Sequence, residues 1–162
     1  REFDRVVLDL PCTGTGTLRK NPELKWRISE AEIGRLSRQS LRLLEGMAPR
    51  VAPDGLLVAI TCSLETEENE RVIDSFLERH EEFSLLPLTE ALGYPLEQWI
   101  MGDGCWRVLP GGDHDGFTVH AMIRRGRGSR VAIPRRVETV RGSKQPPASF
   151  RGLDLAWAGF SC

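Results

Sequence analysis

The sequence lacks the features that mark several common classes of protein. Its four cysteines are far apart, with no Cys-x-x-Cys pair, so we expect no structural zinc site or disulfide framework and favour a reducing compartment. No apolar run approaches the roughly 18 residues that cross a membrane. The glycines at 14 and 16 have no third glycine at dinucleotide spacing, and no Gly-Lys-Ser/Thr follows them, so neither a dinucleotide fingerprint nor a P-loop is present. The sequence therefore predicts no metal and no membrane partner.

The chain carries little net charge, but its charges are unevenly placed. The formal net charge is −1, which by itself predicts no polyanionic partner. Residues 124–144 hold eight Arg and Lys against one Glu, whereas residues 1–123 carry a net −8. A basic segment on an acidic body suits a phosphate backbone, although a solvated tail is the simpler interpretation. We predict a globular domain over 1–125 and a basic, irregular C-terminal tail over 126–162.

Hydrophobic periodicity and turn signals divide the domain into alternating strands and helices. The predicted elements are strands at 5–10 and 56–61, helices at 29–48 and 66–80, and a strand pair at 107–109 and 117–123. Residues 81–100 carry no clear pattern. The order β-α-β-α-β-β predicts two βα units in a parallel sheet, followed by a terminal antiparallel hairpin. This arrangement is half of a doubly wound α/β sheet.

Two of these elements carry more specific expectations. Ser29 and Glu32 form a capping box at the start of the first helix. Five apolar residues of that helix keep helical spacing, with Ser40 as the one polar interruption: Ile33, Leu36, Leu43, Leu44 and Met47. The first strand is almost continuously apolar over residues 6–10, so we expect neighbouring strands on both of its sides.

Two cysteines follow the two apolar strands. Cys12 ends the stretch VVLDLPC, and Cys62 ends the stretch LLVAITC. Because ligands bind outside the carboxyl ends of the strands in an open α/β sheet, both thiols are expected on one working edge. Cys62 also precedes a predicted helix, whose N-terminal dipole would favour its thiolate. Cys105 and Cys162 lack such a setting, and we interpret them as small hydrophobic residues.

Three motifs in this order resemble those of a known enzyme family. They are DLPCTGTG at 9–16, TCSLETEENE at 61–70, and RVLP at 107–110 followed by DGF at 115–117. Over roughly residues 3–125, the sequence resembles the Nop/Sun (Fmu-type) family of RNA cytosine-5 methyltransferases. Thr118 stands where that family often has Phe. The resemblance implies a Rossmann-like class I methyltransferase fold, an α/β fold of which this chain represents the C-terminal half.

The resemblance also implies a role for each residue at the sheet edge. Cys62 would attack carbon 6 of cytosine, which makes carbon 5 nucleophilic toward the methyl group of S-adenosylmethionine. Cys12 would assist removal of the carbon 5 proton and release of the covalent adduct. Asp9 would lie between the methyl donor and the base, and Asp9 and Pro11 would contact the cofactor.

The substrate that the resemblance implies is RNA, most often ribosomal RNA and next transfer RNA. Four basic residues are candidates for phosphate contacts, although a solvated surface is an equal alternative for them: Arg19, Lys20, Lys25 and Arg27. We interpret Trp26, Trp99 and Trp106 as packing residues, and Trp26, near the cysteine loop, is the one to test for base stacking. We expect a cytoplasmic location, or a nucleolar one in a eukaryote.

The chain departs from the family in one large respect. It contains no Pro-Gly-Gly-Lys loop, which in the family precedes these motifs and builds much of the methyl-donor pocket. We therefore expect the missing N-terminal half of the same protein as a partner and an inactive isolated chain. Two alternatives stay open. One is an amino-group methyltransferase, which needs no second cysteine such as Cys62, and the other is a non-catalytic RNA-binding or scaffold module.

Overall fold

A five-stranded mixed sheet with two helices on one face forms the body of this computed structural model, which describes residues 1–86 and 104–126. The helices and strands are β1 (Phe3–Asp9), α1 (Glu30–Met47), β2 (Val51–Thr61), α2 (Glu70–Arg79), β3 (Phe83–Leu85), β4 (Cys105–Val108) and β5 (Phe117–Arg124). Short 3-10 turns occupy Thr15–Thr17, Pro22–Trp26, Ala48–Arg50 and Thr66–Glu68. Within the described residues, neither helix combines the length and the apolar character that a membrane span requires.

The strand order is β1-β2-β5, and both β3 and β4 pair with the far edge of β5. β1 and β2 run parallel, as a βαβ unit requires, whereas β5 runs antiparallel to its three neighbours. β3 therefore runs in the same direction as β2, and the connection through α2 passes over β5. The predicted parallel sheet with a terminal antiparallel hairpin is confirmed.

The helices cover one face of the sheet and bury most of the apolar core. Leu44 of α1 and Phe76 of α2 have no exposed surface, and they share one cluster with Leu57 and Met122 of the sheet. Full burial of one such side chain contributes about 2 kcal/mol. A smaller cluster around Val119 lies on the opposite face. This packing fixes the directions of β1 and β2, and therefore the position of their carboxyl ends.

The first helix begins as predicted, and its buried face differs from the predicted one at Leu43 and Ser40. The Ser29 hydroxyl accepts a hydrogen bond from the Glu32 backbone N–H over 3.2 Å, which confirms the N-cap half of the predicted capping box. The Glu32 carboxylate instead pairs with Arg35. Leu43, predicted on the apolar face, is 42% exposed, and that part of the prediction is wrong. The buried stripe instead runs through Leu36, Ser40 and Leu44 at four-residue spacing. Ser40 is therefore part of the buried face and not an interruption of it.

The helix predicted over 66–80 is divided at Asn69. A 3-10 turn over Thr66–Glu68 comes first, Asn69 leaves helical geometry with φ −119° and ψ −95°, and α2 begins at Glu70. Glu68 and Asn69 are 1% and 2% exposed, because both side chains turn inward to hydrogen-bond the loops at the end of the sheet. These side-chain hydrogen bonds compete with the helical ladder and delay the start of the helix.

The second strand is longer, and the first more exposed, than predicted. β2 begins at Val51 and contains an irregularity near Asp54, where the register with β1 shifts. Val7 of β1 is 60% exposed. Among the residues that the structure describes, only β2 pairs with β1, so the second neighbour expected for this strand is not found there.

Some predictions fall outside the described residues. The segment 81–100 had no assignment, and its described part contains β3, whose three residues are too short to show periodicity. The predicted tail over 126–162 lies outside the described part of the chain apart from Gly126. Most of the basic segment at 124–144 lies outside it too, and both interpretations of that segment stay predictions.

Candidate active site

Cys12 and Cys62 lie side by side where β1 and β2 end. Their Sγ atoms are 3.3 Å apart, within hydrogen-bonding distance for sulfur, and both residues are half-buried. The Leu10 N–H donates to the Ile60 carbonyl over 2.8 Å, so the pairing of the two strands continues up to the cysteine loops. The shared sheet edge predicted for the two thiols is confirmed.

The Cys12 loop passes the Cys62 loop at a distance that requires glycine. Gly14 has a left-handed φ of 75°, which favours glycine. The Gly16 N–H donates to the Cys62 carbonyl over 2.9 Å, and the Gly16 carbonyl accepts the Gly116 N–H over 2.8 Å. A Cβ atom at position 16 would lie 2.2 Å from the Gly116 carbonyl oxygen. Gly16 therefore joins three chain segments that a larger residue would push apart.

Buried polar side chains hold the backbone of both loops. Ser40 of α1 donates to the Pro11 carbonyl over 2.9 Å. Thr118 of β5 donates to the Ser63 carbonyl over 2.9 Å, and the Asn69 amide donates to the same carbonyl over 3.1 Å. The sequence predicts no site role for these three side chains. The signal that was available for Ser40 was a polar residue on an otherwise apolar helix face.

The two thiols have opposite pKa shifts. The Cys62 S–H donates to the Cys12 sulfur and lowers the pKa of Cys12, although burial opposes this shift. The same contact raises the pKa of Cys62, and burial and the negative charges of Cys12 and Asp9 raise it further. The contact therefore favours loss of one proton from the pair and opposes loss of the second, with Cys12 the more acidic of the two thiols. The expectation that a following helix favours a Cys62 thiolate is wrong, because α2 begins only at Glu70 and the contact with Cys12 dominates.

The two predicted cofactor residues lie on either side of the end of β1. The Asp9 carboxylate is exposed and near enough to Cys62 to raise the pKa of that thiol. Pro11 is half-buried, and its carbonyl is occupied by the Ser40 hydroxyl. Asp9 therefore offers a charged acceptor to a ligand, whereas Pro11 offers only an apolar ring. Their cofactor roles stay predictions.

Two of the four predicted RNA-binding residues are engaged in ion pairs. Lys20 lies 2.7 Å from one carboxylate oxygen of Asp115, and Arg19 lies 3.9 Å from the other. Both basic side chains are about half exposed. A phosphate contact by either residue would therefore compete with Asp115.

Of the other two predicted RNA-binding residues, Arg27 shares a pocket with Cys12 and Lys25 contacts an exposed tryptophan. Arg27 lines a pocket of about 430 Å³ to which Cys12 also contributes, together with the first turn of α1. Lys25 places its ammonium group 4.7 Å from the ring centroid of Trp26, which is 81% exposed. The wall of the pocket thus contains the Arg27 side chain and Glu32, whose carboxylate pairs with Arg35. An exposed aromatic ring lies in the adjacent 3-10 turn.

A second group of ionisable side chains lies between α2, β4 and β5. Glu70, Cys105 and His120 each place one potential metal-ligand atom within 4.8 Å of the others. Burial lowers the pKa of His120 to about 4 and raises the pKa of Cys105 to about 11. Arg107 donates to the Glu70 carboxylate over 2.6 Å, so the positive charge that a metal would bring is already there. We interpret the group as a partly buried ion pair beside a neutral thiol and a neutral imidazole.

Comparison with known proteins identifies the family of this chain. Residues 1–123 match the family described as 16S rRNA methyltransferase RsmB/F. The ribosomal RNA small subunit methyltransferase B of Thermus thermophilus is 41% identical over 121 residues, which are 75% of this chain and 29% of that protein. The chain thus spans less than a third of the length of this relative.

Solved structures agree with the fold. The crystal structure of PH0851 has a TM-score of 0.65 at 40% identity, over 74% of this chain and 26% of that one. A methyltransferase homolog protein from Pyrococcus horikoshii has a TM-score of 0.57 at 32% identity, over 76% and 39%. NSun6 from Pyrococcus horikoshii, solved with SFG, has a TM-score of 0.57 at 20% identity, over 75% and 30%, and shows likeness of fold alone. The Rossmann-like class I methyltransferase fold is confirmed, and this chain belongs to the 16S rRNA methyltransferase RsmB/F family.

Proposed function

We propose that this chain carries the catalytic cysteines of an S-adenosylmethionine-dependent methyltransferase that acts on carbon 5 of a cytosine in ribosomal RNA. The observation that carries the proposal is the pair of thiols on the carboxyl edge of the sheet, 3.3 Å apart and with opposite pKa shifts. A single methyl transfer to an amino group needs no such pair. The name of the Thermus thermophilus relative supports the ribosomal RNA substrate.

The two thiols together supply the electron push that carbon 5 of cytosine lacks. The Cys62 sulfur forms a bond to carbon 6, and its proton passes to the Cys12 thiolate 3.3 Å away. The electron pair of the C5–C6 double bond becomes available at carbon 5, which then takes the methyl group. S-adenosylmethionine supplies that group as an electrophile when it is bound.

An elimination step then frees the product. Cys12 releases its proton to solvent through the half-open site and removes the remaining hydrogen of carbon 5 as a proton. The electron pair of that C–H bond restores the C5–C6 double bond, and the bond between carbon 6 and sulfur breaks. Cys62 leaves as a thiolate and takes back the shared proton, which restores the resting pair with its charge on Cys12.

The residues around the thiol pair fit the two substrates in chemical type. The exposed Asp9 carboxylate suits an N–H donor, either the exocyclic amine of cytosine or the ammonium group of the methyl donor. Pro11 adds an apolar surface on the cofactor side. Arg27, in the wall of the 430 Å³ pocket beside Cys12, suits a phosphate of the RNA, and Trp26 suits an unpaired base.

A covalent trap in the intact protein tests the proposal. In Cys12→Ala the Cys62 thiol loses the contact that raises its pKa, so it ionises to solvent and still attacks carbon 6, whereas the release step stalls. Incubation with ribosomal RNA and S-adenosylmethionine should therefore give a protein–RNA adduct that survives denaturing electrophoresis. The adduct should be absent when Cys62 is also replaced by alanine. Cys105→Ala is the matched control, because Cys105 is buried away from the edge and its loss should trap no adduct.

Two other outcomes would overturn the proposal. Retained RNA binding with neither adduct nor methylated cytosine would favour a non-catalytic RNA-binding or scaffold module. Methylation of an exocyclic amine, identified by mass spectrometry of the digested nucleosides, would favour an amino-group methyltransferase.

A further inference from the structure

Glu68 is a buried carboxylate that the proposed chemistry does not use. It is 1% exposed, at the end of the 3-10 turn that precedes α2. Within residues 1–86 and 104–126, no Lys or Arg forms an ion pair with it, although burial of an unpaired charge is costly. The adjacent Glu67, in contrast, is exposed and pairs with Arg71 over 3.2 Å. Something other than an ion pair must therefore compensate the burial of Glu68.

Three short hydrogen bonds provide that compensation. Oε1 of Glu68 accepts the Thr13 backbone N–H over 2.8 Å. Oε2 accepts two hydroxyl groups, those of Thr13 and Ser63, each over 2.6 Å. Hydrogen bonds to an ionised carboxylate are short and roughly twice as strong as neutral ones. The three donors thus take the place of a cation.

The positions of these donors are informative. Thr13 directly follows Cys12, and Ser63 directly follows Cys62. One carboxylate therefore holds the residue after each thiol, across sequence separations of 55 and 5 residues. The two thiols are therefore attached to the segments that Glu68 joins, which the hydrogen bond from the Gly16 N–H to the Cys62 carbonyl also connects.

We propose that Glu68 is a positioning residue that sets the separation of the Cys12 and Cys62 sulfurs by joining Thr13 to Ser63. The expected effect of Glu68 on catalysis rests on the proposed function, in which a proton passes between the two sulfurs and therefore requires this spacing. Glu68 does not touch either sulfur. A displacement of about 1 Å between reacting groups can lower a rate about a hundredfold.

The length and the charge of Glu68 are both required by this arrangement. Aspartate is one methylene shorter and cannot reach Thr13 and Ser63 from the same backbone position, although it keeps the charge. Glutamine keeps the length, but its amide group turns two N–H donors toward the hydroxyls and provides only one acceptor oxygen. Glu67→Gln is the matched control, because it removes a neighbouring charge that contacts neither loop.

The first measurement tests the spacing of the two thiols in the absence of RNA. In the intact protein, oxidised glutathione converts the two thiols to a Cys12–Cys62 disulfide and two molecules of reduced glutathione. The equilibrium between dithiol and disulfide gives the effective concentration of one thiol at the other. We expect that value to fall about tenfold in Glu68→Asp and Glu68→Gln, and to stay within twofold in Glu67→Gln.

The second measurement gives the kinetic constants of the methylation reaction. With ribosomal RNA and S-adenosylmethionine, both Glu68 variants should lower kcat about tenfold or more and leave KM for RNA within twofold. A role confined to folding would lower the fraction of active protein and leave the thiol equilibrium of the folded fraction unchanged. If wild-type protein methylates no cytosine, the proposed function fails, but the thiol equilibrium still decides the role of Glu68.

Three results would overturn the proposal. The first is an unchanged effective concentration in both Glu68 variants, whatever happens to kcat. The second is an equal fall in Glu67→Gln. Should both Glu68 variants fail to fold, Thr13→Val removes a single donor hydroxyl at constant shape, and an effective concentration within 1.5-fold, or about 0.2 kcal/mol, of the wild-type value would then exclude a role for the hydrogen bonds.

Discussion

Two clusters of ionisable side chains contain cysteine, and they differ in what surrounds the thiol. One is the Cys12–Cys62 pair after β1 and β2, and the other is Glu70, Cys105 and His120 between α2, β4 and β5. Cys12 and Cys62 are half-buried at the sheet edge, and each has the other within 3.3 Å. Cys105 is 5% exposed and lies beside Glu70, which is held by Arg107. Burial raises the pKa of Cys105 to about 11, whereas the hydrogen bond from Cys62 lowers the pKa of Cys12. Partial exposure and a neighbouring thiol therefore distinguish the Cys12–Cys62 pair from Cys105.

Loss of a thiol should affect activity in one group and not in the other. We expect Cys62→Ala to lower the methylation rate more than about 10³-fold, because the bond to carbon 6 can no longer form. Cys105→Ala should retain activity within about twofold. A radiolabelled methyl donor with ribosomal RNA in the intact protein measures both rates. A large loss in Cys105→Ala with unchanged folding would end the distinction between the two groups.

Acid should destabilise the protein through the buried group. Burial lowers the pKa of His120 to about 4, while the unfolded chain binds the same proton near 6.5. The unfolded state therefore binds more protons between these values, and stability falls as the pH drops from 6.5 toward 4. The shift of the His120 pKa corresponds to a loss of about 3 kcal/mol in the free energy of unfolding when the pH reaches 4.

One variant separates the contribution of His120 to the pH dependence of stability from that of the carboxylates. In His120→Phe the free energy of unfolding, measured by urea denaturation at several pH values, should depend less on pH over that window. The difference between the wild-type and variant curves should grow as the pH falls. Parallel curves would show that His120 is not held neutral by its surroundings.

The sequence predicted the elements that depend mainly on contacts between residues close together in the chain. The Ser29 cap and the two apolar strands depend on neighbouring residues, and the structure confirms them. The motif spacing placed Cys12 and Cys62 at one edge, because the carboxyl ends of parallel strands meet there. These predictions needed no knowledge of distant contacts.

The predictions that were wrong or missing depend on contacts between distant parts of the chain. Leu43 and Ser40 are both compatible with a helix, and only the Pro11 carbonyl across 29 residues decides that Ser40 points inward. The turn at Glu68 and Asn69 replaces the first helical turn because their partners lie on two other loops. Polar residues at such positions look like solvated surface until the fold brings their partners near.

The thiol contact itself can be broken to test the comparison. In Cys62→Ala the Cys12 thiolate loses its S–H donor, so the pKa of Cys12 should rise. Labelling of Cys12 by iodoacetamide at pH 8 should then slow severalfold, as measured by mass spectrometry of the peptide. Cys105 should stay unlabelled in both proteins, because it is buried and protonated at this pH. Equal labelling rates for Cys12 would show that Cys62 does not stabilise its thiolate.

The smallest effect that we expect comes from the residue that connects the two groups. Thr118 accepts a hydrogen bond from Arg107 Nε over 3.1 Å and donates to the Ser63 carbonyl over 2.9 Å. Valine keeps the shape and removes both bonds. Thr118→Val should therefore lower the free energy of unfolding by about 1 kcal/mol and, by loosening the residue after Cys62, lower kcat by about a factor of three.

A hydroxyl elsewhere in the domain provides the control for that prediction. Ser84 of β3 accepts a hydrogen bond from Arg125 Nε over 3.2 Å, at the end of β5 opposite the cysteine loops. Ser84→Ala should lower the free energy of unfolding in urea by up to about 1 kcal/mol and leave kcat unchanged. If kcat instead fell equally in both variants, the loss would reflect general loosening of the domain. A selective loss in Thr118→Val would mean that the buried ion pair stabilises the edge at which the thiols react.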